Sequence, residues 1–397
     1  MEGIACGHRQ FTISAEQLLL DLYRAYKDAR KHKRGRKYQL KFEYGLERNL
    51  IALRDELLAG KYRPLPSSCF IIHDPKMREV FAADFRDRIV HHLFYNYTHE
   101  LFERTFVYDC YSCIKGRGTH FGIERLKHHI RSVSAGYSRP CYVLKIDIKG
   151  YFMNINRKVL IGICRRTLNR ARYKTYHNSG CLNNLIDYGF VDYLLETIIE
   201  CDPIDNCVVK GNLSDWNNLP VEKSLFGSMP ECGLPIGNLS SQLFSNIYMN
   251  VFDQFMKRKL GCRHYGRYVD DAYVVSESAD FLKSIIPDVD EFLKSSLGLS
   301  LSLNKVRVYD AYLGVEFLGA YLKPHRTYVS SGSLKRIRRK ITCSSGRMDY
   351  KYISASANSF LGVLSHYNSF CLRRVLFGYI SRYKRYGRFD RNWLTFS

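Results

Sequence analysis

Two adjacent carboxylates in an apolar setting are the residues of this chain best suited to chemistry. Asp270 and Asp271 lie in residues 267–276 (RYVDDAYVVS), with aromatic and aliphatic side chains on both sides. This pattern predicts two short strands joined by a turn that presents both carboxylates. Adjacent carboxylates repel each other unless a cation neutralises them, and hard divalent cations prefer such oxygen ligands. A solvated hairpin tip is the alternative interpretation if no third carboxylate joins the pair.

A third carboxylate is available at Asp147. It follows residues 142–146, whose alternating pattern predicts a strand with Asp147 at its far end. A strand-end Asp beside a hairpin Asp pair can hold two Mg²⁺ ions, with Mn²⁺ as a substitute, as in nucleotidyl transfer. We therefore predict a catalytic and metal-binding set of Asp147, Asp270 and Asp271, in which Asp271 contributes less to direct coordination.

The composition indicates a polyanionic partner. Among 397 residues there are 61 Lys and Arg against 38 Asp and Glu, a net charge of +23, which suits nucleic acid or an anionic membrane. No apolar run is long enough to span a bilayer, no signal-peptide pattern is present at the N-terminus, and no amphipathic or lipidated anchor is visible. Thirteen irregularly spaced cysteines fit a reducing cytoplasm. We expect a cytoplasmic, nucleic-acid-binding protein.

Elements that could position the carboxylates are visible in the hydrophobic periodicity. A capping box at residues 14–17 begins one helix, and further helices are predicted at 38–58, 85–104 and 239–260. Residues 155–224 form a partly polar stretch with one amphipathic helix at 191–200. Strands are predicted within 309–322, and a basic, mainly helical tail at 334–385.

Asp147 with Phe152 five positions later, followed by Tyr-Val-Asp-Asp, resembles the palm of reverse transcriptases. Other blocks similar to that family follow its order, at residues 78–92, 115–120, 233–242, 303–305 and 316–319. The resemblance covers residues 60–330 and implies an α+β right-hand polymerase with fingers, an antiparallel palm sheet and a helical thumb. The implied boundaries are an N-terminal helical extension at 1–60, fingers at 61–141, a palm at 142–330 with an insertion at 155–224, and a basic thumb at 331–397.

The block at residues 233–242 distinguishes groups within that family. Most relatives carry Pro-Gln-Gly and then Ser-Pro, whereas this chain has Ile236-Gly237 after Pro235 and then Ser241-Gln242. This sequence, like that of residues 364–368, is similar to the sequences of reverse transcriptases of diversity-generating retroelements. The resemblance implies a bacterial or phage-encoded enzyme that copies a template-repeat RNA into cDNA with errors at adenines. It also implies mutagenic retrohoming and a partner, a small basic helical accessory variability determinant protein.

The resemblance further implies roles for single residues. The backbone carbonyl of Ile148 becomes a metal ligand, Lys305 protonates pyrophosphate, and Phe152 is the steric gate that excludes ribonucleotides. Basic residues that meet the triphosphate are Lys76 and Arg78, the latter bidentately. The remaining substrate-binding positions are Ile236, Gly237 and Gln242. Lys115 and Arg117 are implied on the template backbone, and Phe317, Leu318 and Gly319 at the primer end. A basic thumb helix that tracks the RNA–DNA hybrid is implied at Lys335, Arg336, Arg338, Arg339 and Lys340.

Two other functions stay open. One is a reverse transcriptase of a retron or a group II intron, against which the Ser241-Gln242 pair and the lack of a maturase domain argue. The other is a polymerase-derived RNA-binding scaffold without activity, against which the three carboxylates argue. For Ile236 we hypothesise that an apolar side chain, replacing a glutamine that can hydrogen-bond near the incoming nucleotide, weakens discrimination against mispairs. Ordinary packing is the alternative role for Ile236.

Overall fold

The computed structural model describes residues 11–31, 33–74, 76–177, 186–342, 350–378 and 387–396. Within these ranges the helices are α1 (Ala15–Arg30), α2 (Lys37–Glu43), α3 (Leu46–Leu58), α4 (Phe85–Glu103), α5 (Thr119–Val133), α6 (Arg157–His177), α7 (Tyr188–Glu200), α8 (Leu239–Gln254), α9 (Ala279–Leu297), α10 (Ser331–Thr342), α11 (Tyr350–Ser365) and α12 (Phe370–Gly378). Residues 1–10 of the predicted N-terminal helical extension lie outside the described residues. The same holds for residues 343–349 and 379–385 of the predicted helical tail.

The strands in the same ranges are β1 (Ser67–Ile72), β2 (Arg78–Ala82), β3 (Tyr142–Ile146), β4 (Cys207–Val209), β5 (Tyr265–Tyr268), β6 (Asp271–Ser276), β7 (Arg307–Asp310), β8 (Val315–Phe317), β9 (Ala320–Lys323) and β10 (Arg326–Val329). The chain divides into two compact units. Unit 1 comprises Met1–Cys113, Ile148–Lys259 and Val289–Leu301, and unit 2 comprises Ile114–Asp147, Leu260–Asp288 and Ser302–Ser397.

Unit 1 is mainly helical. Helix α4 packs against α1, α7 and α8, because its apolar residues, among them Ile89 and Phe94, are buried along its length. Helix α1 begins as its capping box predicts, since Ser14 Oγ accepts a hydrogen bond from the Gln17 backbone N–H at 3.1 Å. A small sheet joins this unit, in which β1 pairs antiparallel with β2 and parallel with β4.

Unit 2 contains an antiparallel sheet of four strands in the order β5-β6-β3-β7. Consecutive apolar residues of β3 and β6, such as Val143 and Leu144, are buried, so both faces of these strands are covered. Helix α5 packs against β5 and β6. A second antiparallel sheet has the order β10-β9-β8. The helices that follow share an apolar core that includes Ile337, Leu361 and Phe377. The predicted α+β class with an antiparallel palm sheet and helices elsewhere is confirmed.

Three predictions of helices are corrected by the structure. The single helix predicted at 38–58 is wrong, because the chain breaks between α2 and α3 at Gly45, a residue that disfavours the helix interior. Residues 155–224 contain α6 as well as the predicted amphipathic helix, which begins earlier, at Tyr188. The many arginines of α6 conceal an apolar face that buries Leu160, Cys164 and Leu168. The helix predicted at 239–260 ends in a π-helical turn at Phe255–Lys259.

In the part of the chain that the structure describes, no helix combines the length and the apolarity that a bilayer crossing requires.

Candidate active site

The carboxylate pair lies at the predicted hairpin between β5 and β6. Tyr268 and Asp271 face each other as the last pair of the ladder. Between them Val269 has a φ of 56°, a left-handed conformation that is strained for a β-branched residue. Arg267, which is 0% exposed, donates a hydrogen bond from Nη1 to the Val269 carbonyl at 2.8 Å. A buried guanidinium therefore holds the turn that carries Asp270.

Asp147 lies at the same end of this sheet as the pair. Ile146 pairs with Ala272 in the antiparallel β3–β6 ladder, so that the next residue on each strand toward this end is Asp147 and Asp271. The Asp147 carbonyl accepts a hydrogen bond from the Ser302 N–H at 2.8 Å, which fixes the chain where it leaves β3. The sheet register thus brings the three predicted carboxylates to one edge.

Lys305 joins these carboxylates. It ends the short 3₁₀ turn Leu303–Lys305, and its Nζ donates to Asp147 Oδ2 at 2.7 Å. This hydrogen bond, with the charges of Asp147, Asp270 and Asp271, raises the pKa of Lys305, while partial burial opposes the rise. The ammonium group is therefore protonated at neutral pH and able to donate a proton.

The three carboxylates suit a hard cation in type, since they offer oxygen ligands alone. Across the described ranges, no group of three or more His, Cys, Asp or Glu side chains is arranged as a preformed metal site. The Lys305 ammonium instead supplies positive charge at Asp147. Ile148 forms an isolated antiparallel bridge with Leu301 in unit 1. Asp147, Ile148, Asp270 and Asp271 fit Mg²⁺ chemically, and their role as metal ligands stays a prediction.

Phe152 and Ile236 pack against the same apolar cluster in unit 1. Both are partly buried against an apolar cluster formed by Cys69, Phe81, Met153 and Leu225, which we call the Phe81 cluster. The Phe152 carbonyl accepts a hydrogen bond from the Leu234 N–H at 2.8 Å, and the Ile236 carbonyl accepts one from the Phe81 N–H at 2.9 Å. Backbone bonds therefore hold the two predicted substrate-binding residues to the same core.

The backbone conformation at position 237, directly after Ile236, requires a glycine. Its φ is 129°, and a Cβ at this position would lie 2.9 Å from the Phe81 carbonyl oxygen. Gln242 is exposed on α8, whereas its neighbour Ser241 is buried. Lys76 and Arg78 are exposed just before and at the start of β2, a position open to a charged ligand.

The residues predicted to contact nucleic acid differ in exposure. Lys115 is exposed, and the half-buried Arg117 guanidinium lies 6.0 Å from the centre of the Phe121 ring. Phe317 is 1% exposed and packs edge-on against Tyr273. Its side chain is therefore part of the core and does not form a nucleic-acid surface, so the predicted primer contact falls on the half-buried Leu318 and Gly319.

Helix α10 is amphipathic, as a basic thumb helix requires. It buries Ile337, and the predicted basic residues of α10 are exposed or half-buried, namely Lys335, Arg336, Arg338, Arg339 and Lys340. Their contact with an RNA–DNA hybrid stays a prediction.

The sequence interpretation missed two charged residues that the structure places at central points. Arg267 supports the hairpin turn, and Glu79, 1% exposed, lies in β2 beside the Phe81 cluster. The signal available was a charge at a core-facing position of an otherwise apolar strand, since such charges are rarely buried without partners.

Comparisons with known proteins address the family. The reverse transcriptase (RNA-dependent DNA polymerase) family matches residues 73–322, more than half of the chain. Protein YkfC of Escherichia coli is 26% identical over 304 residues, which cover 68% of this chain and 70% of that protein. The COX1/OXI3 intron 2 protein of Saccharomyces cerevisiae is 25% identical over 236 residues, 51% of this chain and 27% of that protein.

Solved structures with similarity include two telomerases. The telomerase of Candida albicans, in complex with a TWJ fragment of telomeric RNA, shows 13% identity and a TM-score of 0.46 over 81% of this chain. The apo telomerase of Candida tropicalis shows 12% identity and a TM-score of 0.49 over 81% of this chain. This chain spans 56% and 59% of those two chains. On the match over residues 73–322, the chain belongs to the reverse transcriptase family of RNA-directed DNA polymerases.

Proposed function

We propose that this reverse transcriptase makes cDNA with errors at adenines from a template-repeat RNA, for mutagenic retrohoming in a diversity-generating retroelement. The observation that carries the proposal is the apolar residue Ile236 between Pro235 and Gly237. Its apolar side chain packs against the Phe81 cluster, and Ser241-Gln242 follows it in the chain. A small basic accessory variability determinant protein is the proposed partner.

The proposed chemistry assigns separate roles to the two units. In unit 2, Asp147, Asp270 and Asp271, with the Ile148 carbonyl contributed by the adjoining residue, would hold two Mg²⁺ ions. When bound, such ions activate a primer 3′-hydroxyl and neutralise charge on a triphosphate. Lys305 holds its proton at Nζ, which donates a hydrogen bond to Asp147 Oδ2. In the reaction, Nζ donates this proton to the departing pyrophosphate as a general acid.

In unit 1, Phe152 and Ile236 select the nucleotide. Phe152 occludes the ribose 2′-hydroxyl position, so that deoxynucleotides are preferred. Ile236 has no hydrogen-bonding group, so a mispaired nucleotide loses less binding energy relative to a correct one than it would beside a glutamine. Infidelity then follows from a missing polar contact, because discrimination depends on the difference between the two binding energies.

Sequencing of cDNA tests this function. The purified full chain should be given a defined RNA containing all four bases, with and without the small basic partner. We expect primer-dependent cDNA whose errors concentrate opposite template adenines. Errors spread evenly over the four template bases would remove the retroelement assignment and leave a reverse transcriptase.

A second candidate is a reverse transcriptase of the group II intron or retron type. The similarity to a yeast protein named for an intron favours it. In the same experiment this candidate predicts low and even error rates. A non-catalytic RNA-binding scaffold predicts RNA binding without any extension of the primer.

A further inference from the structure

We infer that Glu79 is a positioning residue that sets the geometry of the nucleotide-selecting surface formed by Phe152 and Ile236. The inference rests on the proposed roles of these two residues. Glu79 supplies a buried carboxylate that links β2 by hydrogen bonds to residues 213–227, which we call the clamp segment.

Glu79 is buried near the start of β2, and its carboxylate accepts hydrogen bonds from three donors of the clamp segment. Trp216 Nε1 donates to Oε1 at 2.7 Å, Ser224 Oγ donates to Oε1 at 2.8 Å, and the Leu225 N–H donates to Oε2 at 2.6 Å. Hydrogen bonds to an ionised acceptor are short and strong, and a buried carboxylate requires such partners. One side chain therefore fixes a segment that lies far from it in sequence.

The same segment contributes to the Phe81 cluster. Leu225 is one of the four buried members, and Trp216 packs against them together with Phe152 and Ile236. Phe81, two residues after Glu79 in β2, donates its N–H to the Ile236 carbonyl. The position of the clamp segment on β2 thus determines the packing of both selecting residues.

The clamp segment packs closely against its neighbours, as two glycines show. A Cβ on Gly233 would lie 2.6 Å from Leu225 Cδ2, and one on Gly150 would lie 3.0 Å from the Glu222 carbonyl oxygen. Burial raises the pKa of the Cys69 thiol to about 12, and the nearby Glu79 and Cys207 side chains add to the rise, which places Glu79 close to this member of the cluster. Because interiors are close-packed, a shift of the clamp segment must displace its neighbours.

The test compares Glu79→Gln with Trp216→Phe, Ser224→Ala and a matched control, Glu222→Gln. Glutamine removes the charge, and phenylalanine keeps an aromatic ring but removes the N–H donor. Glu222 lies in the same segment with an exposed side chain, 4.0 Å from Lys149. For each full-length variant, KM for dNTP, kcat, the error spectrum and Tm are measured on one primer–template.

We expect Glu79→Gln to raise KM for dNTP about tenfold and to change the error spectrum, the equivalent of one lost charged hydrogen bond. Trp216→Phe and Ser224→Ala should shift KM in the same direction by about threefold, and Glu222→Gln should leave it unchanged. If Tm falls while KM and the error spectrum stay at parental values, Glu79 only stabilises the fold and the inference is overturned. If Glu79→Gln does not fold, the two milder variants decide. A parent chain that extends no primer would contradict the proposed function itself.

Discussion

The carboxylate edge in unit 2 and the Phe81 cluster in unit 1 solve different physical problems. The edge collects Asp147, Asp270 and Asp271 and balances their charge with Lys305, so its chemistry depends on electrostatics. The cluster packs Phe152 and Ile236 on an apolar core, so the selectivity that we propose for it would depend on shape. Substitutions at the edge should therefore change the rate of synthesis, whereas substitutions at the cluster should change which nucleotide is used.

The largest effect is expected at the edge, for Asp270→Asn. Loss of one charged oxygen ligand should lower primer extension about 10³-fold or more, because metal ions stabilise the reaction by several kcal/mol. Extension assays with Mg²⁺, and with Mn²⁺ as substitute, measure this. Asp280→Asn, at a 95% exposed side chain of the same unit, is the control and should retain parental activity. Parental activity in Asp270→Asn would show that the edge is not catalytic.

Lys305→Met should lower kcat about 10²-fold, the usual contribution of a general acid. Because its pKa is raised, Lys305 stays protonated past the ordinary lysine pKa and loses its proton only at still higher pH. The parental rate should therefore fall on the alkaline side, where the Lys305–Asp147 pair also stops stabilising the fold. Lys305→Arg should keep only the part of the rate that depends on positive charge, without that alkaline loss, because guanidinium stays protonated and does not donate its proton. Identical pH–rate profiles in the parent and Lys305→Arg would exclude this role; Lys283→Met serves as control.

Phe152→Ala should change selectivity more than rate. Without the ring, discrimination of dNTP over NTP should fall by about tenfold or more, while the kcat for dNTP changes less. Competition between matched dNTP and NTP pairs on one template measures the ratio. An unchanged ratio would return Phe152 to ordinary packing. Phe281→Ala, at a partly exposed ring in α9, is the control.

The smallest effect is expected for Ile236→Gln. A glutamine able to hydrogen-bond near the nucleotide should lower errors opposite adenine by about three- to tenfold, the equivalent of one hydrogen bond. Errors opposite the other three bases should change less. Ile51→Gln, on the partly exposed side of α3, controls for the change in polarity. Unchanged adenine errors would argue decisively against the role of Ile236 in infidelity.

The edge could be predicted from sequence because strand periodicity and adjacent carboxylates are local signals. The order of residues 142–147 and 267–276 was enough to predict a strand-end Asp and a hairpin pair, and the register of β3 and β6 agrees. Helix α6 was missed because polar side chains concealed which face packs, and the break at Gly45 was missed because helical segments lie on both sides of it. Hydrophobic periodicity indicates which face of a segment is apolar, but it does not identify the elements that this face packs against.

Glu79 could not be interpreted from sequence for a different reason. Its three donors come from Trp216, Ser224 and Leu225, and no local pattern links these residues to β2. The same holds for Phe317, whose block resembles a primer grip although its ring is buried against Tyr273. Contacts between distant segments determine these roles, so they become visible only in three dimensions.

Arg267 has one more consequence, for the interpretation of titrations. A guanidinium group keeps its proton at every pH at which proteins fold, so the bond to the Val269 carbonyl does not switch off in alkali. This one support of the turn is thus insensitive to acidity, and its loss should not contribute to a measured pH–rate profile of this enzyme.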